Sequence, residues 1–282
     1  MTTLDWIPFA SGVKILEIHP AGLFAVEKPA GVLAHPNSSE KKEKETVLID
    51  SNYSMAEEAF HIRDGKGGVK KVYLLNRLDS PTSGVLLLCL DEKLADVVKE
   101  LFAESKVSKK YAAIVKGRGL RSPRGTWQDS LVKSSGPGGG VRSSAKSSGG
   151  SQAITVYQWV RAAQNNLPLS LLQLEPRTGR THQLRVQTAE HGHPILGDRT
   201  YGDFDFNKTA GTARGLKRLF LHAQFTELSF NWQGAPCHFK AESPLPKEFL
   251  AALGESGDGP PAKIKKPAPT GTTVSPRLRI RL

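Results

Sequence analysis

Leu74-Leu75-Asn76-Arg77-Leu78-Asp79-Ser80-Pro81-Thr82-Ser83-Gly84-Val85-Leu86-Leu87-Leu88-Cys89-Leu90 sets two apolar runs around a knot of polar residues. The second run, Val85 to Leu90, has no polar interruption and reads as a strand buried on both faces. The knot holds Arg77 and Asp79, then Ser80, Pro81, Thr82, Ser83 and Gly84, all with turn chemistry. A carboxylate at the mouth of a buried strand loses solvation unless it finds donors and a cation. The hydroxyls of Thr82 and Ser83 and the N–H groups of the turn are candidate donors. Asp79 can therefore be a tie within the turn or a reacting group, and both readings stand at this point.

Upstream, Leu23-Phe24-Ala25-Val26-Glu27-Lys28 is strand-like and Pro29-Ala30-Gly31 ends it. Residues 11–36 read as two short strands and a turn. Residues 37–45 are polar and lysine-rich, as in a solvated loop, and a short helix is expected to follow through Ala59. His61 to Lys71 is basic and glycine-rich and reads as a mobile loop. Downstream, Asp91 caps a helix to about Glu104, with Leu94, Val97, Val98 and Leu101 on one face. Ser108 to Gly117 is a strand with Tyr111, Ala113 and Val115 on one side. Residues 118–152 turn to glycine and serine with scattered Arg and Lys, the composition of a flexible insertion. Strands resume at Ala153–Val160 and Leu169–Leu174. Thr181 is placed to cap a helix that ends with Gly192 at C′, with His182, Arg185 and Ala189 on one face.

Composition narrows the class. In 282 residues there are 39 Lys plus Arg against 27 Asp plus Glu, a net charge of +12, which favours a polyanionic partner such as nucleic acid. Hydrophobic residues are 38%, enough for a sizeable core. Cys89 and Cys237 form neither a disulfide framework nor a Cys-x-x-Cys site. His182, His191 and His193 lack the spacing of a helical zinc pair, so no metal is expected. No apolar run reaches membrane-spanning length, and the N-terminus lacks a secretory pattern. The expectation is a cytoplasmic protein.

Asn76-Arg77-Leu78-Asp79-Ser80-Pro81-Thr82-Ser83-Gly84 resembles the signature of the RluA-type RNA pseudouridine synthases, His-Arg-Leu-Asp-x-x-Thr-Ser-Gly, with Asn76 in place of the usual His. Val26 to Pro36 is similar to that family's Lys-Pro-x-Gly segment. Lys109-Lys110-Tyr111-Ala112-Ala113-Ile114-Val115-Lys116-Gly117 resembles its second motif, and Thr178-Gly179-Arg180-Thr181-His182-Gln183-Leu184-Arg185-Val186-Gln187 its third, with Gln187 for a usual His. Gly192 to Asp198, Leu219 to Ala223, Leu228 to Phe230 and Pro244 to Phe249 continue the likeness.

The resemblance implies an α+β fold, a mixed and mostly antiparallel central sheet with flanking helices and an RNA-binding cleft. It implies one catalytic domain over residues 1–254, interrupted by the insertion at 118–152, and a disordered basic tail at 255–282. Many relatives carry an S4 domain before this segment. Too little chain precedes Val26 for one, so RNA binding is expected from the catalytic domain and its loops. The implied activity is isomerisation of specific uridines in structured RNA, rRNA or tRNA, by a monomer with no cofactor. The alternatives are a catalytically silent RNA-binding protein on the same fold and a nucleoside hydrolase. By the same resemblance Asp79 is the nucleophile, Arg185 its ionic partner and Tyr111 the residue that stacks on the uracil. Arg77, Thr82, Arg180, His182 and Leu221 are the RNA-contacting set.

The tail carries Lys263, Lys265, Lys266, Arg277, Arg279 and Arg281 without apolar periodicity. Each phosphate contact it makes should add about 0.7–0.9 to the slope of log affinity against log salt. Deleting residues 256–282 is expected to flatten that slope while the modified uridine stays the same. RNA-binding titrations across salt concentrations, with mapping of the product, check both.

Overall fold

The computed structural model describes residues 4–36, 45–63, 67–135, 141–145 and 149–255. In chain order the elements are β1 (Lys14–Ile18), β2 (Leu23–Lys28), β3 (Asn52–Ser54), β4 (Ala59–Arg63), β5 (Val69–Leu74), β6 (Ser83–Cys89), α1 (Glu92–Ala103) and β7 (Ser108–Lys116). They continue with β8 (Arg124–Ser135), β9 (Val141–Ala145), β10 (Ser151–Ala162), β11 (Leu169–Pro176), α2 (Gln183–Glu190), α3 (Phe204–Arg214), β12 (Leu221–Trp232), β13 (Ala235–Glu242) and α4 (Lys247–Leu253). The strands form one mixed sheet in the order β3-β4-β5-β6-β12-β7-β11-β10-β8-β9, with β2 also on β6, β1 on β2 and β13 on β12. Every pairing is antiparallel except that of β6 with β12. This is the α+β architecture that the motifs imply.

The apolar run after the polar knot is the hub. All residues of β6 are buried. Alternation divides its side chains between two cores. Val85, Leu87 and Cys89 join α1 and the distal parts of β12 and β13. Leu86 and Leu88 face Phe24, Val26, Phe60 and the N-terminal segment. A third core lies under β7, β11 and α4, and Tyr111 packs against both this core and the N-terminal one. Helix α1 begins as its sequence dictates, with Asp91 Oδ1 accepting from Leu94 N at 2.9 Å.

The parallel join between β6 and β12 is short, His222 opposite Ser83 and Ala223 opposite Gly84. Gly84 has φ +114, and a Cβ there would lie 2.1 Å from the Ala223 carbonyl oxygen. Glycine is thus required both by backbone conformation and by the approach of the neighbouring strand.

Several local expectations are corrected. No helix runs to Ala59. The chain bridges Phe9 to Leu48 and Leu33 to Thr46, then forms the β3–β4 hairpin, with Glu58 at φ +51 in its turn. Helix-forming Met55 to Ala59 yields to strand pairing, since Tyr53 packs on Phe60 at 4.8 Å and stacks on His35 at 5.1 Å. His61 to Lys71 belongs largely to the β4–β5 hairpin rather than to a loop. Most of the 118–152 insertion is strand, since β8 pairs with both β9 and β10. The parts of these expectations that fall on residues 37–44, 64–66, 136–140, 146–148 and 256–282 lie outside the described residues.

Helix α2 starts at Gln183, not after Thr181. His182 is its N-cap, in the left-handed region (φ 55, ψ 18), with no side-chain cap. Gln183 Oε1 accepts from Arg180 N at 3.0 Å and Thr178 Oγ1 at 2.7 Å, which braces the preceding loop and carries the chain past Thr181. The helix ends as expected, with Gly192 at φ +79 after the His191 cap.

Gly84→Ala is expected to lose about 3–5 kcal/mol, the upper end for a single substitution. Gly31→Ala, at φ +95 with nothing within 4 Å of its added Cβ, carries the conformational strain alone and should cost about 1–2 kcal/mol. Urea unfolding of the two variants separates the strand clash from the φ penalty.

Candidate active site

The loop between β5 and β6 delivers Asp79 to an open cavity of about 440 Å³. Asn76 holds that loop down, its Oδ1 accepting from Leu87 N at 2.7 Å, so the residue that departs from the family pattern is a brace between the loop and β6. Thr82 N donates to Asp79 O at 2.9 Å and closes the turn. All eight residues singled out in the sequence, Asp79, Tyr111, Arg185, Arg77, Thr82, Arg180, His182 and Leu221, line this one cavity. They come from the β5–β6 loop, β7, the β11–α2 loop, α2 and the start of β12.

Arg185 organises the floor. Its Nε and Nη2 bond Asp198 Oδ2 and Oδ1 at 2.8 and 2.9 Å, a fork-to-fork pair. Its Nη1 reaches Asp79 Oδ2 at 2.9 Å. Asp198 is 1% exposed whereas the Asp79 side chain is 28% exposed. The first carboxylate is thus structural and the second is presented to the cavity. Asp198 Oδ1 also accepts from Thr200 N and Tyr201 N at 2.8 and 3.1 Å. Burial alone pushes the Asp198 carboxyl up, but the Arg185 hydrogen bonds and charge and the two backbone donors outweigh it and leave it below the usual range. The Arg185 guanidinium lies over the Tyr201 ring, 5.1 Å from its centroid.

The donors expected from the turn hydroxyls do not reach the Asp79 carboxylate. Ser83 Oγ faces the other way, toward His222 Nδ1 at 2.8 Å and Arg218 Nη2. Among the described residues Thr82 Oγ1 is the one buried side-chain polar atom with no partner.

Helix α2, which carries Arg185, is buried through polar contacts rather than an apolar stripe. Gln187 donates to Asp129 Oδ2 at 2.6 Å and accepts from Thr155 Oγ1 at 2.6 Å, and Gln183 donates to Ile154 O and Thr155 Oγ1. Gln187, the second departure from the family pattern, is therefore a clamp to β8 and β10. His182 stands before the helix, so the face expected to hold His182, Arg185 and Ala189 together does not form.

Tyr111, in the middle of β7, pairs with Leu174 of β11 and Ala223 of β12. Burial first, and then the Asp79 charge, push its phenol well above the ordinary tyrosine range. Arg77 and Arg180 are exposed at the rim, where Lys99 and Lys109 join them. Residues that sequence reasoning passed over are Asp198, Tyr201 and Lys28. Lys28 is fully buried, and its Nζ donates to Pro29 O, Val32 O and Ser80 O at 2.9, 2.7 and 3.0 Å, tying the turn beside Asp79. Burial pushes its pKa down to about 7 against the raising effect of Asp79. The signal for Asp198 was an acidic residue inside a recognised motif with no partner assigned to it.

The family whose pattern matches residues 22–190 is described as RNA pseudouridylate synthase. A tRNA pseudouridine synthase C of Haemophilus ducreyi is 34% identical over 242 residues, 82% of this chain and 87% of its own length. That of Salmonella typhimurium is 31% identical over 248 residues, 83% and 86% of the two chains. Among solved structures, human RNA Pseudouridylate Synthase Domain Containing 4 aligns at a TM-score of 0.60 with 25% identity, over 85% of this chain and 91% of that one. Human RNA Pseudouridylate Synthase Domain Containing 1 has the same fold, at a TM-score of 0.62 with 22% identity and coverage of 86% and 87%.

Arg185→Met strands the 1% exposed Asp198 and is expected to cost about 3–5 kcal/mol. Asp198→Asn removes the charge but keeps the shape and should cost less. Because the Asp198 carboxyl is depressed in the folded state, its stabilising share is complete above the ordinary carboxylate range and is lost as pH falls through the folded value. The stability gap between the natural protein and Asp198→Asn should accordingly narrow from pH ~7 to pH ~3. Thermal melts across that range read the gap.

Proposed function

This chain belongs to the RNA pseudouridylate synthase family and is an isomerase of uridine in RNA, and on that premise we propose that it acts on tRNA with Asp79 as the nucleophile. The observation that carries the assignment of Asp79 is its geometry. It is a carboxylate open to a cavity, held at 2.9 Å by an arginine that a second, buried carboxylate immobilises. An oriented carboxylate open to substrate is what covalent catalysis at a glycosidic bond requires. tRNA is favoured because the relatives over 30% identical across most of the chain are named tRNA pseudouridine synthases.

The chemistry closes without an added atom. The N1–C1′ bond breaks, uracil turns, a C5–C1′ bond forms, C5 gives up a proton and N1 gains one. Asp79 attacks C6 or C1′, or takes a ribose proton, and is released at the end. Arg185 keeps it aimed through the 2.9 Å hydrogen bond from Nη1. The target uridine must leave its stack, at a cost of a few kcal/mol. Backbone contacts from Arg77, Arg180, Lys99 and Lys109 at the rim offset that cost. Tyr111 stacks on the uracil from β7, and Leu221 packs beneath it. The Tyr111 hydroxyl serves the late transfer of the C5 proton. While Asp79 is bonded to substrate its charge is gone, which removes one of the two causes that hold the phenol protonated. Thr82 lines the same cavity beside Asp79 and is assigned to the nucleotide-contacting set.

Two substitutions test the assignment on bulk tRNA labelled with [5-³H]uridine and isolated from cells lacking this gene. Asp79→Asn should abolish tritium release while RNA binding persists. Tyr111→Phe keeps the ring, so product should still form, about 10²-fold more slowly. An Asp79→Asn protein with normal tritium release would refute the nucleophile. Pseudouridine mapping that finds the dependent sites in rRNA alone would refute the substrate.

A further inference from the structure

Tyr201 and His182 make a relay that the reading above leaves unused. Ser143 N, from the inserted strand β9, donates to Tyr201 Oη at 2.9 Å. Tyr201 Oη lies 2.8 Å from His182 Nδ1. A backbone N–H has only a proton to give, so Tyr201 Oη accepts there. Among the described residues the phenol proton then has one acceptor, His182 Nδ1. With the phenol donating to Nδ1, the ring hydrogen of the neutral imidazole sits on Nε2. Nε2 points into the cavity, 3.8 Å from Asp79 Oδ2. The backbone of His182 is left-handed, φ 55 and ψ 18, a conformation uncommon for a non-glycine residue and one that clusters at functional sites.

Burial is the main influence on this imidazole and holds it below the usual histidine range. Asp79 and Asp198 oppose that effect and the Arg185 charge adds to it. The groups that face it are thus Asp79, Arg185, Asp198 and Tyr201, and their balance favours the neutral ring. A neutral N–H donor beside a site of developing negative charge is an effective electrophile, because it stabilises the anion without surrendering its proton.

We propose that His182 is a catalytic residue whose Nε2–H donates a hydrogen bond to a carbonyl oxygen of the uracil as it departs from C1′, and that Tyr201 and the inserted strand position it by fixing the tautomer. When the N1–C1′ bond breaks heterolytically, the departing uracil holds the electron pair as an anion shared among N1, O2 and O4. The donor is complementary to that anion and less so to the neutral base, so it lowers the barrier rather than tightening binding. The Ser143 hydroxyl also donates to Thr181 O at 2.9 Å, so β9 anchors the residue preceding His182 as well. The insertion is therefore part of the catalytic frame. The inference rests on the Asp79 reading, since it needs uracil in this cavity.

The test has two arms. In the free protein labelled with ¹⁵N-histidine, the His182 signal, assigned by its absence from His182→Gln, should report an unprotonated Nδ1 and a protonated Nε2 near pH 7.5. Tyr201→Phe should move it toward a mixture of tautomers. In single-turnover tritium release from [5-³H]uridine-labelled bulk tRNA at saturating enzyme, His182→Ala should be about 10²–10³-fold slower. His182→Gln keeps an N–H donor and should recover part of that loss. An Nδ1–H tautomer or a protonated ring in the natural protein overturns the proposal, and so does a full rate for His182→Ala at saturation. Normal activity in Asp79→Asn would instead remove the reading beneath it, so the two failures are distinct.

Discussion

The site depends on the Arg185 guanidinium being shared between two carboxylates of different exposure. Asp198 takes two of its nitrogens and is sealed from water; Asp79 takes the third and faces the cavity. A planar five-donor fork permits this, and a lysine could not do it in one geometry. Of the two carboxylates, Asp79 is the one presented to the cavity. Asp198 has its oxygens filled by Arg185, Thr200 N and Tyr201 N, so its whole capacity goes to aiming the arginine.

The rest of the fold delivers these two acids and one base to a common point. β6 is buried on both faces, which makes its N-terminal end rigid, and Asp79 precedes it in a turn held by Asn76 and Lys28. The parallel contact of β6 with β12 brings Leu221 beside that turn and needs glycine at position 84. Helix α2 is fastened through Gln183 and Gln187 to β8 and β10, so the strands of the insertion bear directly on where Arg185 points. Polar burial of this kind is tolerated because the buried amides are bonded.

Function follows from the contrast between floor and rim. The floor holds a charge pair and a phenol kept protonated by burial and by Asp79. The rim is basic, with Arg77 and Arg180 exposed, and so suited to phosphates that approach from solvent. An RNA strand can thus be held at its backbone while one base is turned inward.

Much of this was legible in the chain. The uninterrupted apolar run Val85–Leu90 specifies a strand buried on both faces, Asp91 specifies the start of α1, and Gly192 the end of α2, because each is a local rule of periodicity or capping. The spaced motifs around Asp79, Tyr111 and Arg185 named the members of the site, and all of them line one cavity. Only the tertiary structure decided the partners. Asp198 and Arg185 are joined across a turn, Ser143 and Tyr201 across 58 residues, and no local signal encodes a pairing made by packing. The same reason explains the misread segments. Met55 to Ala59 has helical propensity and residues 118–152 have the composition of a linker, but strand pairing with distant neighbours outweighs a local preference of a few tenths of a kcal/mol per residue. Asn76 and Gln187 looked like departures from a pattern; their amides prove to be the braces that hold the β5–β6 loop and α2 in place.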